Sequence, residues 1–337
     1  MKKSYLIITA AALLAAASCQ KSDTAPAAPE TRYNPVDIVL SAAIEGADTK
    51  VSYTEDANVL KSAWEKDDQV SLVAYDSDGK VLSNDIFTAT TAGTTAKFSG
   101  TYSDPAGAVA VSVFYPALTE GNGSDATPWQ SKTKMAGTSP LTGVLFNMVK
   151  DKKTISVRND SQLQRGNADL SNVKEAAVMQ GVVTDIPALK AGEAKVTLKN
   201  ICFVIKISAK VPSSAVTVKF VTLQAKKADG SDASFCFAGW TKVNSFGTYY
   251  GNPWNYITLG LGSDFDGSTY GTGISPDSSG YITAYLVGYT GKPQTLPAGA
   301  TLKVNFSSSL SKSSTPLASD LTLEPGKMYR INVDMTK

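Results

Sequence analysis

The sequence contains no histidine. That absence excludes Ser-His-Asp and Cys-His nucleophilic pairs, and every zinc or iron site that needs an imidazole. Carboxylate-pair hydrolysis and a Ser-Lys dyad stay formally open, but no acidic pair and no helical Ser-x-x-Lys stands out. Charge of one sign is also lacking: the formal net charge is +2 over 337 residues, so no strong field favours nucleic acid. After the first twenty residues no run is long and apolar enough to cross a bilayer as a helix. No long segment carries the 3.6-residue period, and one short helix at most is expected, within Asn167 to Glu175. No short repeat of fixed period occurs, which argues against a solenoid or propeller. Neither an enzyme nor a cofactor or metal dependence is expected.

Cysteine is scarce, and its first copy has a distinctive place. Met1-Lys2-Lys3 is followed by an apolar run from Tyr5 to Ala17, which ends in Ala16-Ala17-Ser18-Cys19. A cationic start, a short apolar run and small residues before a Cys make a lipoprotein export signal. Residues 1–18 are expected to be removed and Cys19 to be lipidated, on its thiol and its new amine, by chains such as palmitate. Two or three acyl chains anchor stably where one binds marginally. Residues 19–35 are rich in Ser, Thr, Ala and Pro and read as a flexible tether. Cys202 and Cys236 remain. In an exported protein a disulfide between them is allowed, and free buried thiols are the plainer reading.

What the sequence does have is period-two alternation. In Val36 to Ile44, the residues Val36, Ile38, Leu40, Ala42 and Ile44 share one face. Further runs span Gln69 to Tyr75, Ala108 to Tyr115, Val196 to Ser208, Val216 to Leu223, Tyr281 to Gly288 and Leu302 to Phe306. The last run puts Tyr329, Ile331, Val333 and Met335 on one face, with Arg330, Asn332 and Asp334 on the other. Asp78-Gly79, Gly121-Asn122-Gly123, Asp229-Gly230 and Pro325-Gly326 mark turns. Many short strands with Gly/Pro turns predict an all-β fold of two tandem β-sandwich domains, with transthyretin- or immunoglobulin-like topology an option. The expected domains are 36–190 and 194–337, divided at Pro187 to Gly192.

Four features in this order resemble the fimbrillin family of Bacteroidetes surface lipoproteins, over nearly the whole chain. They are the lipidation signal with its Pro/Ala tether, and a first strand closing on Lys50 with Ser62-Ala63-Trp64-Glu65-Lys66-Asp67-Asp68-Gln69-Val70 after it. The third is Val196 to Ile207, and the fourth is Leu321 to Tyr329. The resemblance implies a subunit or accessory component of a cell-surface pilus, or fimbrium, anchored to the outer membrane by lipid and facing outward. Its partners would be other pilus subunits, in a homo- or hetero-polymer. In such subunits a surface protease cuts behind the first strand, the strand leaves, and a neighbour's strand fills the groove. Here the displaceable strand would be Val36 to Ile44 and the cut would follow Lys50. The family pattern has Arg there, so either a Lys-tolerant protease acts or the subunit stays uncut as an anchor. The donor strand would be Tyr329 to Met335, which reads equally as a permanent strand. Trp64 reads as a core aromatic, and Asp67 and Asp68 as a turn before a strand.

A second reading is a surface glycan-binding lipoprotein. Tyr249, Tyr250 and Trp254 lie in an aromatic, Gly-containing stretch and offer flat rings for sugars, and the partner would be a host or bacterial surface glycan or protein. The same stretch reads as a long loop packing its own aromatics. Asp264 and Asp266 are two apart, fewer ligands than a full calcium loop supplies.

Overall fold

The computed structural model describes residues 36–44, 54–56, 59–61, 63–131, 144–159, 162–212, 216–237, 239–244, 249–250, 253–264, 270–306 and 310–337. Their regular structure is almost entirely β, with two short helices, Ser171–Ala176 and Ile186–Lys190. The first overlaps the segment Asn167 to Glu175, where a helix was expected, and runs one residue past it. Its start is held by Asp169, which accepts from the Ser171 main-chain N–H and hydroxyl.

The N-terminal part is a closed seven-stranded barrel rather than two separate layers. Its order is Val36–Ile44, Lys195–Asn200, Met179–Val183, Ala110–Tyr115, Gln69–Tyr75, Val81–Ala89 and Thr95–Tyr102, which pairs back onto Val36–Ile44. Alternation specifies one buried face per strand. It does not specify whether the sheet folds into two layers or rolls up, because both bury the same residues. Leu40, Leu72, Phe87, Phe98, Val111 and Leu198 fill the interior.

The C-terminal part is a sandwich of two five-stranded sheets. One runs Gln162–Gln164, Tyr256–Leu261, Phe220–Lys226, Thr301–Asn305, Ser311–Ser313. The other runs Pro253–Trp254, Cys236–Phe237, Tyr281–Tyr289, Cys202–Lys210, Met328–Asp334. Phe203, Ile207, Leu223, Leu259 and Leu286 lie in the core between them. On Tyr281–Tyr289 the ring of Phe203 lies against Gly288, where an added Cβ would meet it at 2.3 Å. Only glycine fits under that ring.

A third apolar cluster joins barrel to sandwich. Val73, Tyr75, Phe114 and Leu118 meet Cys202, Val204, Tyr285 and Val287, with Val173 and Ala176 of the first helix alongside. Strands from both sides of the expected division at 190–194 share sheets. Lys195–Asn200 completes the barrel, and Gln162–Gln164 belongs to the sandwich. The single run Val196 to Ser208 is two strands, and the chain changes sheets at Ile201. The residues show why: Val196 and Leu198 are buried alternately, whereas Ile201 through Ile205 are buried without a break. A strand covered on both faces no longer alternates.

Candidate functional site

Two strands carry the sequence-based expectations. The leading strand, Val36–Ile44, fills a slot between two others. It runs antiparallel to Thr95–Tyr102, from Val36 opposite Tyr102 to Ala43 opposite Thr95. On its other side it runs parallel to Lys195–Asn200, from Ser41 opposite Lys195 to Ile44 opposite Leu198. Ile38, Leu40 and Ala42 are buried in the barrel, and Val36 packs half-buried against the same core. Val39 faces out, 43% exposed. The side chain of Ile44 lies outside the described residues.

Trp64 fixes this strand from within. Its indole Nε1–H donates to the Ala42 carbonyl at 3.0 Å. The ring stands edge-on to Phe98 and Tyr115, at 4.9 and 5.7 Å. The core reading of Trp64 holds, and the bond to the leading strand is what sequence reasoning missed. No pattern of spacing links position 64 to position 42. Beside Trp64, Asp67 takes a left-handed φ of 70° and Asp68 accepts from the Glu65 N–H at 2.7 Å, closing the expected turn. Burial pushes the Asp68 carboxyl above its ordinary value, against the pull of that hydrogen bond and of Lys174. On the outside, Thr101 donates to Asp37 at 2.5 Å. Lys190 of the second helix reaches Asp104 at 2.5 Å, and such exposed pairs contribute under about 1 kcal/mol.

The closing strand, Met328–Asp334, ends the second sandwich sheet. It pairs on one side with Cys202–Lys210, in parallel, from Met328 opposite Val204 to Asp334 opposite Lys210. Tyr329, Ile331 and Val333 are half-buried against the sandwich core, and Met335 is buried. The Tyr329 hydroxyl donates to the Thr322 carbonyl and accepts from the Glu324 N–H, at 2.9 and 2.8 Å. A groove of about 250 Å³ opens beside the strand, lined by Leu302, Val304, Ile331 and Val333, with Lys312 and Lys337 among the residues around it.

The other expected residues scatter. Cys19 and Lys50 lie outside the described residues. Tyr249–Tyr250 is a short strand paired to Lys242 and Val243, with its side chains outside the described set. Trp254 is exposed and tilted 48° against Tyr256, 5.1 Å away, so the pair is not coplanar. Cys202 and Cys236 are free and buried. Cys202 packs in the joining cluster and Cys236 in the sandwich core. Burial pushes the Cys202 thiol up to about 11, and Cys236 higher still, so both are unreactive at neutral pH. Among the described residues no group of acidic or cysteine side chains is placed to hold a metal, and no helix is long and apolar enough to cross a membrane.

Barrel, sandwich and terminal strands define an all-β protein whose first strand bridges two others and whose last lies at a sheet end. No family model and no curated protein matches the chain. Solved structures are similar over most of its length. One is described as a cell adhesion protein from Bacteroides ovatus, with 14% identity and a TM-score of 0.40, covering 90% of this chain and 92% of that one. A fimbrial assembly protein from Parabacteroides distasonis has 14% identity and a TM-score of 0.30, over 88% and 90%. The tip fimbrial protein Mfa3 from Porphyromonas gingivalis has 9% identity and a TM-score of 0.37, over 88% and 94%.

Proposed function

We propose that the protein is a structural or adhesive component of a cell-surface pilus, assembled by β-strand exchange from a lipid-anchored precursor. The observation that carries this reading is the position of Val36–Ile44. Among the described residues it alone joins Thr95–Tyr102 to Lys195–Asn200 in the barrel ring. Its departure would open a slot about 30 Å long, at ~3.3 Å per residue, with an apolar floor and two unpaired edges. A strand of matching alternation is what such a slot accepts. The peptide behind it carries Lys50, where a protease would separate it. Tyr329 to Met335 has the matching alternation and is the proposed donor. Cys19 would hold the precursor on the outer membrane.

The test is N-terminal mass spectrometry of the surface-exposed protein. A mature end at Val51 supports a polymerising or tip subunit. An acylated Cys19 with Val36 to Ile44 retained supports an anchor. An unacylated protein that keeps the leading strand and co-isolates with no other subunit overturns the reading.

Glycan binding keeps one observation in its favour: the Trp254 and Tyr256 side chains stand in solvent. A Trp254→Ala variant that retains glycan-array binding would remove that support.

A further inference from the structure

The strand Tyr281–Tyr289 presents an edge that, among the described residues, no main-chain strand covers over most of its length. On one side it pairs fully with Cys202–Lys210. On the other, the only ladder partner among the described residues is Phe237, opposite Tyr289. The main-chain groups between are met mainly by side-chain carboxamides, with one main-chain bond among them, from the Ala168 N–H to the Thr283 carbonyl at 3.1 Å. Gln162 donates to the Val287 carbonyl at 2.6 Å and accepts from the Val287 N–H at 2.8 Å. Gln164 donates to the Thr283 carbonyl at 2.7 Å and accepts from the Tyr285 N–H at 2.9 Å. Asn167 donates to the Tyr281 carbonyl at 2.8 Å and accepts from the Thr283 N–H at 2.7 Å. Asn172 donates to the Tyr285 carbonyl at 2.6 Å. Gln162, Gln164 and Asn172 are almost fully buried.

A carboxamide carries the same donor and acceptor as a peptide unit. Here Gln162, Gln164 and Asn167 descend along the strand from Val287 to Tyr281 as the chain advances, each donating and accepting as a partner strand would, and Asn172 turns back to donate to the Tyr285 carbonyl. The main chain of Gln162–Gln164 is already committed to the other sheet, in parallel with Leu259–Leu261. The segment therefore belongs to one sheet through its backbone and to the other through its side chains. Residues two apart on a strand point the same way, which lets Gln162 and Gln164 act together. There is a functional difference from a real strand. A strand would satisfy this edge and offer another of its own. A side chain ends the ladder and offers nothing to the next strand.

We propose that Gln162, Gln164, Asn167 and Asn172 form a side-chain seal that blocks the Tyr281–Tyr289 edge against strand addition by a second copy of this chain. The seal stands whether or not the leading strand is ever released. If strands do exchange between subunits, it keeps this edge out of the exchange.

Two sets of variants test it in the full exported chain. Gln162→Met with Gln164→Met keeps side-chain length and removes two carboxamides. Asn167→Ala removes one at the more exposed end and leaves the buried part intact, so it serves if the double variant does not fold. Site-resolved amide exchange is read at Thr283, Tyr285 and Val287, and self-association by sedimentation over a range of concentrations. The expected result is exchange faster by roughly tenfold or more at the uncovered amides, together with concentration-dependent dimers or larger species that the parent does not form. Unchanged exchange at those amides would overturn the proposal. So would faster exchange in a chain that stays monomeric at every concentration, since the carboxamides would then hold local structure without guarding an edge. Because the parent is compared with its own variants, the result is independent of cleavage after Lys50.

Discussion

The leading and closing strands are similar in sequence and opposite in setting. Each alternates apolar and polar residues. Val36–Ile44 has a neighbour on both sides and places Ile38, Leu40 and Ala42 at or near zero exposure. Met328–Asp334 has its ladder partner on one side and leaves Ile331 and Val333 half-buried beside an open groove. The same pattern thus marks a strand locked into a ring and a strand resting at a sheet's end. Exchange would need the locked strand to be cut loose, whereas the closing strand faces a smaller barrier to peeling away.

The largest expected effect lies in the locked strand. Leu40→Ala should destabilise the folded chain by about 2–5 kcal/mol, the range for deleting a buried leucine side chain. Val39→Ala, on the exposed side of the same strand, should stay within about 0.5 kcal/mol of the parent. Urea titration of both variants checks the contrast. Similar losses at the two positions would mean that the strand is not seated as described.

Next is Trp64→Phe. It keeps an aromatic ring against Phe98 and Tyr115 but leaves the buried Ala42 carbonyl without its donor. A loss of roughly 1–1.5 kcal/mol is expected, the upper part of the range for one hydrogen bond. Amide exchange should quicken first in Val36–Ile44. Exchange that quickens evenly throughout the barrel would show that Trp64 supports the core without tethering that strand.

The closing strand should respond less. Tyr329→Phe removes the hydroxyl that links Thr322 and Glu324, in a half-exposed position, for about 0.5–1.5 kcal/mol. Ile331→Ala should lose less than Leu40→Ala, because its site already opens onto the groove. An Ile331→Ala loss equal to that of Leu40→Ala would erase the difference between the two strands.

Much of this architecture is legible in the residues. Alternation marks both terminal strands, most internal ones and the all-β class, and the turn at Asp67-Asp68 can be read directly. What escapes is the way strands associate. Nothing local distinguishes a closed ring from two layers, and Lys195–Asn200 reads as continuous with Cys202–Lys210 until burial shows the change at Ile201. The side-chain bonds escape for the same reason. Trp64 to Ala42 spans 22 positions and Gln162 to Val287 spans 125. The Gln162-x-Gln164 pattern looks like a solvated strand face, although both side chains are buried. A buried glutamine carries no sequence signal apart from the partner it satisfies.

The smallest expected effect separates the two regions by pH. Burial raises the carboxyls of Asp68, beside Trp64, and of Asp85, which accepts from Ser103 and Ser83 in the barrel. A carboxyl raised in the folded state binds its proton more tightly there than when unfolded. Its stabilising contribution is fully present below the ordinary value of 3.8 and is lost as pH rises through the folded value. Asp334, in the closing strand, is shifted the other way, first by the Thr336 hydroxyl and N–H and then by Lys337 and Lys210. Its contribution is present above 3.8 and is lost as pH falls through its lower folded value. Descending from neutral pH, the barrel carboxyls should therefore gain before Asp334 begins to lose. Amide exchange in the two strands, corrected for the intrinsic pH dependence of exchange, checks this order. Asp85→Asn keeps an acceptor oxygen for Ser103 and should flatten the barrel's response above 3.8, leaving the closing strand's response below 3.8 unchanged. If Asp85→Asn flattened both responses equally, the two strands would belong to one cooperative unit, and neither could leave without the other.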